Sequence, residues 1–256
     1  MCGRFALHAS PELVAELLSL DEIEDFPPRY NIAPTQPILL VIGGSEARPE
    51  ANRAGRSAAL ARWGLIPSWC KDPRKLPLLI NARSETAAEK NAFRAAMRHR
   101  RALVPATGFY EWKRQGAKKQ PYLIRPKGGG VVAFAGLTET WSEPGGSEID
   151  TGAILTTAAN DQIAHIHDRM PVVIRPEDFA RWLDCRTQEP RDVADLLRPV
   201  EPGFFEAIPI SDKVNKVANM GPEIQEPVDP AASGPPPVSP AAKREPRGEE
   251  DQLKLF

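Results

Sequence analysis

The density of short strand-forming runs leaves this chain few folds. Such runs fall at Ile38–Ile42, Ala58–Trp63, Ala102–Pro105, Phe109–Lys113, Tyr122–Arg125, Val131–Leu137, Ile154–Thr157, Val172–Ile174 and Phe204–Ile208. Turn signals such as Gly128-Gly129-Gly130 separate them. Helical signals are brief. Ser10-Pro11-Glu12 supplies an N-cap and a proline at the first helical position, with Leu13, Val14, Leu17 and Leu18 on one face. Thr86-Ala87-Ala88-Glu89 fits a capping box and predicts a helix to about Arg98. Pro176–Leu183 and Pro190–Leu197 read as two further short helices. The expected class is α+β: a curved, barrel-like, mainly antiparallel or mixed sheet surrounded by short helices. No internal repeat and no glycine-rich phosphate loop is present.

Composition divides the chain in two. Residues 1–220 read as one folded domain, and 221–256 as a disordered tail. Between Gly221 and Glu250 lie eight prolines and almost nothing large and apolar. Such a segment cannot bury enough surface to offset its ordering entropy. Residues 1–220 carry 29 Lys and Arg against 27 Asp and Glu, for +2, and the tail carries −3. DNA binding would therefore need local arginine clusters rather than a global positive field. The run Arg98-His99-Arg100-Arg101 reads more simply as a solvated helix end, where cations suit the dipole. No apolar run is long enough to span a membrane and no signal peptide is evident, so a cytoplasmic protein is expected. Cys2, Cys70 and Cys185 are scattered, which excludes a clustered zinc site and a disulfide framework. No metal or organic cofactor is expected, and a monomer is the default.

Cys2 carries the distinctive chemistry. Removal of Met1 would leave an α-amine and a thiol on adjacent carbons. Their reference pKa values are roughly 8 and about 8.5, so both nucleophiles exist in useful fractions near neutrality. The amine can condense with an aldehyde, and the thiolate can then close onto the same carbon as a thiazolidine. A lone Met-Cys start can also be accidental. The surrounding motifs are Cys2-Gly3-Arg4, Tyr30-Asn31-Ile32-Ala33-Pro34, Arg62-Trp63-Gly64-Leu65-Ile66-Pro67-Ser68-Trp69, Asn81-Ala82-Arg83-Ser84-Glu85-Thr86, Gly108-Phe109-Tyr110-Glu111-Trp112 and His167-Asp168-Arg169-Met170-Pro171-Val172.

In this order, over about residues 1–225, these motifs resemble the SOS-response-associated peptidase family, also described as abasic-site processing. The resemblance implies that Cys2 crosslinks to abasic sites in single-stranded DNA. It implies that Asn81, Glu111 and His167 complete the catalytic set, and that Arg4, Arg83 and Arg169 hold phosphates. Desolvation between Tyr110 and Trp112 would raise the Glu111 pKa and suit it to shuttling protons. His167 could protonate the sugar ring oxygen as the abasic sugar opens, and Asn81 could orient the α-amine. Trp63 and Trp69 could stack on bases or pack in a core; both alternatives stand. Arg83 precedes the helix start expected at Thr86, where backbone N–H groups favour phosphate.

The tail ends Gln252-Leu253-Lys254-Leu255-Phe256. It resembles the short motif by which bacterial replication and repair proteins dock onto the sliding clamp. Gln252 would be the polar anchor, and Leu253, Leu255 and Phe256 the apolar ones. Two other functions fit parts of the sequence. One is an N-terminal-nucleophile peptidase or amidase, whose mildest form is autoproteolytic removal of Met1. The other is a non-catalytic clamp adaptor.

Overall fold

The structure, a computed structural model, describes residues 2–229 apart from 22, 44–54, 117 and 144. Thirteen strands form among the described residues. They are β1 (Phe5–Leu7), β2 (Arg29–Ile32), β3 (Pro37–Gly43), β4 (Arg56–Trp63), β5 (Asn81–Arg83), β6 (Arg101–Ala106), β7 (Gly108–Gln115), β8 (Lys118–Pro126), β9 (Val132–Ser142), β10 (Glu148–Ala158), β11 (Arg169–Pro171), β12 (Val173–Ile174) and β13 (Phe205–Pro209). Four short α-helices accompany them: α1 (Pro11–Leu18), α2 (Arg94–His99), α3 (Asp161–Ala164) and α4 (Phe179–Leu183).

Strands β10, β4, β3, β6 and β9 pair in that order, and β9 pairs back onto β10. The ring closes as a five-stranded mixed barrel, in which only the β10–β4 pairing is parallel. Closure leaves little room inside. A Cβ at Gly136 would lie 2.9 Å from Val104 Cγ2, so β9 and β6 approach only because that position lacks a side chain. A second, antiparallel sheet runs β13-β8-β7-β1-β2. Its inner face packs on the barrel through aromatic edges. Phe5 meets Trp63 at 5.1 Å and Phe134 at 6.5 Å, and Phe109 meets Phe134 at 6.0 Å. Each such pair adds about 0.5–1.5 kcal/mol beyond burial. Its outer face carries Ala6, Tyr110 and Leu123, covered by Ile210, Val214 and Ile224 of the segment that follows β13.

The α+β, barrel-like expectation therefore holds, and all nine sequence runs lie on or overlap strands. The sequence did not mark β1 and β2. Three and four residues long, they draw their stability from neighbours rather than from propensity. Helix α1 forms as expected: Ser10 Oγ accepts the Leu13 N–H, and Pro11 opens the helix. Only Val14 and Leu18 are buried on it; Leu13 faces solvent, because an eight-residue helix presents a single narrow stripe.

The helix expected from Thr86 does not form. Residues 84–93 are turns and α2 begins at Arg94. The Asn91 carbonyl takes the Trp69 indole N–H at 3.3 Å. The stretch Pro190–Leu196 is a 3₁₀ helix. In the basic run, Arg98 and His99 form the exposed last turn of α2, the solvated helix end expected, whereas Arg100 and Arg101 lie beyond the helix. Arg98 pairs with Glu189, and Arg100 pairs with Glu139 at 2.6 Å. Arg101 is buried and donates to the carbonyls of Met97, Trp182, Asp184 and Gln188. Arg98, Arg100 and Arg101 thus each have a protein partner. No helix among the described residues is long and apolar enough to cross a membrane. The clamp-motif residues Gln252, Leu253, Leu255 and Phe256 lie outside the described residues.

Candidate functional site

Three strand groups converge on Cys2. The β1–β7 register pairs Phe5 with Phe109 and Ala6 with Gly108, and the Tyr110 N–H reaches the Arg4 carbonyl at 2.9 Å. Continuing that register sets Cys2 beside Glu111 and Trp112. On the other side β5 runs parallel to β10, with Asn81 opposite Ile154 and Arg83 opposite Thr156. Strand β11 pairs with the same end of β10, Pro171 opposite Thr156. The turn before β11 carries His167. The second half of β10 is thus the spine on which Asn81, Arg83, His167 and Arg169 are mounted.

Cys2 is wholly buried. Its carbonyl accepts from Asn81 Nδ2 at 2.8 Å, and its Sγ lies 3.8 Å from the Arg4 carbonyl. Burial, reinforced by the charge of Glu111, pushes the thiol well above its ordinary range. Asn81 Oδ1 is buried without a hydrogen-bond partner among the described residues. It is an acceptor in place for a cationic nitrogen.

Glu111 is 3% exposed. Burial pushes its carboxyl up to about 7, which places a proton donor and acceptor near neutral pH. His167 Nε2 stands 3.8 Å from Glu111 Oε2. Its Nδ1 accepts the Arg169 backbone N–H at 3.0 Å. That bond puts the neutral ring's proton on Nε2, facing Glu111. Asp168 Oδ1, also 3.0 Å from Nδ1, favours the imidazolium, but burial outweighs it and lowers the His167 pKa. Glu111 and His167 form a pair able to hold and pass a proton, and the Glu111 charge acts on the Cys2 thiol.

The arginines differ in availability. Arg83 is exposed and in no ion pair among the described residues. Arg169 holds Glu85 with both terminal nitrogens, at 2.7 and 2.8 Å, so a phosphate would displace that carboxylate. Arg4 Nη1 is committed to Asn31 Oδ1 at 2.6 Å and the Val214 carbonyl at 2.9 Å. The helix-start argument for Arg83 fails with the helix itself. Trp63 is also corrected. It is fully buried, with its indole N–H on the Ile80 carbonyl at 2.9 Å, and cannot stack on a base. Trp69 is 52% exposed and keeps a face for solvent.

Asn31 and Glu85 sit within the motifs but had no assigned role. Asn31 is a buried amide between strand-forming neighbours, a sign that a specific network awaits it. Among the described residues no three His, Cys, Asp or Glu side chains gather to hold a metal. A cleft of about 570 Å³ opens at the far end of the barrel, floored by Leu40, Ile42, Ala59 and Ala61. It includes none of these site residues, and Arg100 and Arg101 on its wall are internally paired.

Comparison with known proteins identifies the family. A family model described as SOS response associated peptidase (SRAP) matches residues 1–217. Abasic site processing protein YoqW of Bacillus subtilis is 39% identical over 230 residues, covering 88% of this chain and 99% of the relative. Abasic site processing protein YedK of Escherichia coli is 35% identical, covering 89% and 100%. Abasic site processing protein HMCES of Gallus gallus is 31% identical, covering 79% and 67%. A crystal structure from Bacteroides thetaiotaomicron superposes with a TM-score of 0.73 at 26% identity, covering 89% of this chain and all of that one. The chain belongs to the SOS response associated peptidase family.

Proposed function

We propose that this protein processes abasic sites by coupling Cys2, once Met1 is removed, to the open-chain aldehyde of the lesion in single-stranded DNA. The observation that carries this reading is the grouping of Cys2 with Asn81 and the Glu111–His167 pair. Relatives bearing the name abasic site processing protein support the substrate.

The chemistry balances as follows. As the sugar opens, its ring oxygen takes a proton that His167 or Glu111 can supply, and its anomeric hydroxyl gives up a proton to the base so left, becoming the aldehyde. The Cys2 amine attacks the aldehyde carbon, and the carbinolamine loses water to give an imine. The Cys2 sulfur, its proton taken by Glu111, adds to the imine carbon. The nitrogen gains a proton, and a thiazolidine results with net loss of one water. Asn81 Oδ1 would hold the amine while Asn81 Nδ2 holds the Cys2 carbonyl. The buried thiol of the precursor fits this scheme, because sulfur reacts only after the imine forms beside a base. It fits an acyl-transfer peptidase less well, since that mechanism begins with thiolate attack. An acylating probe that labelled Cys2 faster than an aldehyde probe would favour the peptidase.

Arg83 and Arg169 would carry phosphate contacts, making affinity fall with salt. Trp69 would stack on a base, whereas Trp63 supports the fold. Trp63→Ala should cost about 3–5 kcal/mol of stability, read from urea unfolding. Trp69→Ala should leave the urea midpoint nearly unchanged and weaken single-strand binding by about 1–3 kcal/mol in a filter or anisotropy titration. Docking of the tail onto a sliding clamp through Gln252, Leu253, Leu255 and Phe256 rests on their sequence alone.

The deciding experiment offers the protein three single strands: intact, bearing an abasic site, and bearing a tetrahydrofuran analogue that has no aldehyde. A heat-stable shifted band on a denaturing gel should form with the abasic strand alone. Its mass should equal protein plus DNA minus one water. Equal bands on the abasic and tetrahydrofuran strands would overturn the aldehyde mechanism.

A further inference from the structure

We infer that Asn31, through Arg4, is a positioning residue for the chemistry of Cys2; the inference rests on the crosslinking reading above. Residues 2–4 precede β1 and carry no regular strand pairing. Gly3 stands between Cys2 and Arg4 and adds a flexible joint. The direction in which Cys2 points is therefore set by side-chain and carbonyl contacts as well as by the backbone bond that extends the β1–β7 pairing to Arg4.

One such contact is Asn81 on the Cys2 carbonyl. The other begins at Asn31. Its Oδ1 accepts from Arg4 Nη1 at 2.6 Å, and Nη1 also reaches the Val214 carbonyl. Its Nδ2 faces the carbonyls of Asn219 at 2.8 Å, Lys216 at 3.1 Å and Val214 at 3.3 Å. A guanidinium on one side and three carbonyls on the other fix which end is oxygen and which is nitrogen; the flipped amide would set like against like. Asn31 is 4% exposed, so water cannot replace these partners at low cost. The side chain so held belongs to the residue whose own carbonyl takes both the Tyr110 N–H at 2.9 Å and the Cys2 thiol at 3.8 Å. Asn31 thus fixes the Arg4 side chain, Arg4 fixes its backbone, and that backbone fixes the sulfur. Asn31 and Asn81 bracket the reactive residue from two sides.

A misplacement of about 1 Å at a reacting centre can cost on the order of 100-fold in rate. The test measures the rate of adduct formation at saturating abasic single strand, together with thermal unfolding, for wild type, Cys2→Ala, Asn31→Ala and Asn31→Asp. Asn31→Ala loses both halves of the network, and its rate should fall roughly 10- to 100-fold. Asn31→Asp keeps the oxygen that holds Arg4 and gives up the two N–H groups shared among the three carbonyls, so it should regain most of the rate while its melting temperature stays low. If Asn31 were only structural, both variants would lose rate in step with stability, and that outcome overturns the inference. A wild-type rate in Asn31→Ala overturns it too. Should Asn31→Ala fail to fold, Arg4→Gln approaches the same contact from the other partner. A slow but folded Arg4→Gln supports the inference, and a wild-type rate overturns it. If wild type and Cys2→Ala give the same pattern on the gel, the crosslinking reading itself falls, and this inference with it.

Discussion

Cys2→Ala should yield no heat-stable adduct with an abasic single strand while folding and binding DNA almost as wild type does. The substitution removes one sulfur from a buried site, a change expected to cost about 1 kcal/mol, far less than is needed to unfold a domain. The α-amine survives. A Schiff base can still form, and borohydride should trap it by delivering hydride to the imine carbon. Untrapped, it hydrolyses or lets the strand break by elimination. The wild-type band should thus survive heating without reductant, and the Cys2→Ala band should need reductant to appear. A heat-stable unreduced band from Cys2→Ala would remove sulfur from the mechanism and leave an amine-only lyase.

Glu111→Gln should slow adduct formation by about 10²–10⁴ and, at the same time, stabilise the protein above neutral pH. The two effects share a cause. Burial raises the Glu111 carboxyl from 4.5 to about 7. Below pH 4.5 it is neutral in the folded and unfolded chain alike and costs nothing. Between 4.5 and 7 the unfolded chain releases its proton first, so stability falls as pH rises. Above 7 the loss is complete, on the order of 3 kcal/mol for a shift of this size. His167 slopes the other way. Burial lowers its pKa, so its contribution is present above 6.5 and is lost as pH falls. Denaturant melts of Glu111→Gln from pH 4.5 to 8 should lack the downward slope of wild type. A variant less stable than wild type at pH 8 would show that the Glu111 carboxylate is well paired in the folded state. Active sites commonly keep such groups at a cost in stability.

The motif residues were legible where chemistry is local. Ser10 capping Leu13 needs only neighbours in sequence. The raised carboxyl of Glu111 was expected for the wrong reason: Tyr110 and Trp112 lie on the outer face of their sheet, and burial on the opposite face raises Glu111. What escaped was long-range. Strand β1 carries no propensity signal in three residues, and its strandedness comes from β7, about a hundred residues on. Asn31 finds its carbonyls more than 180 residues away, so nothing around position 31 could name them. Trp63 and Trp69 lie six residues apart, yet one fills the seam between sheet and barrel and the other faces solvent. That difference depends on where β4 ends. The capping-box pattern at Thr86 opens turns rather than a helix: the Thr86 carbonyl takes the Glu89 and Lys90 N–H groups, and regular helix begins only at Arg94.

The position of β1 has a consequence for how the protein matures. It lies between β2 and β7 in its sheet, and its pairing with β7 waits for residues 108 and 109. At a synthesis rate of roughly 5–20 residues per second, that partner emerges on the order of 5–20 s after the chain start. During this interval the start of the chain has no fold to enter. Afterwards Cys2 is sealed beneath its neighbours. An aminopeptidase could reach the Met1–Cys2 bond from the unfolded chain during that interval, whereas self-cleavage would need Glu111 and His167 in place and would follow folding. Slowing the ribosome should lengthen the first route's opportunity and leave the second untouched.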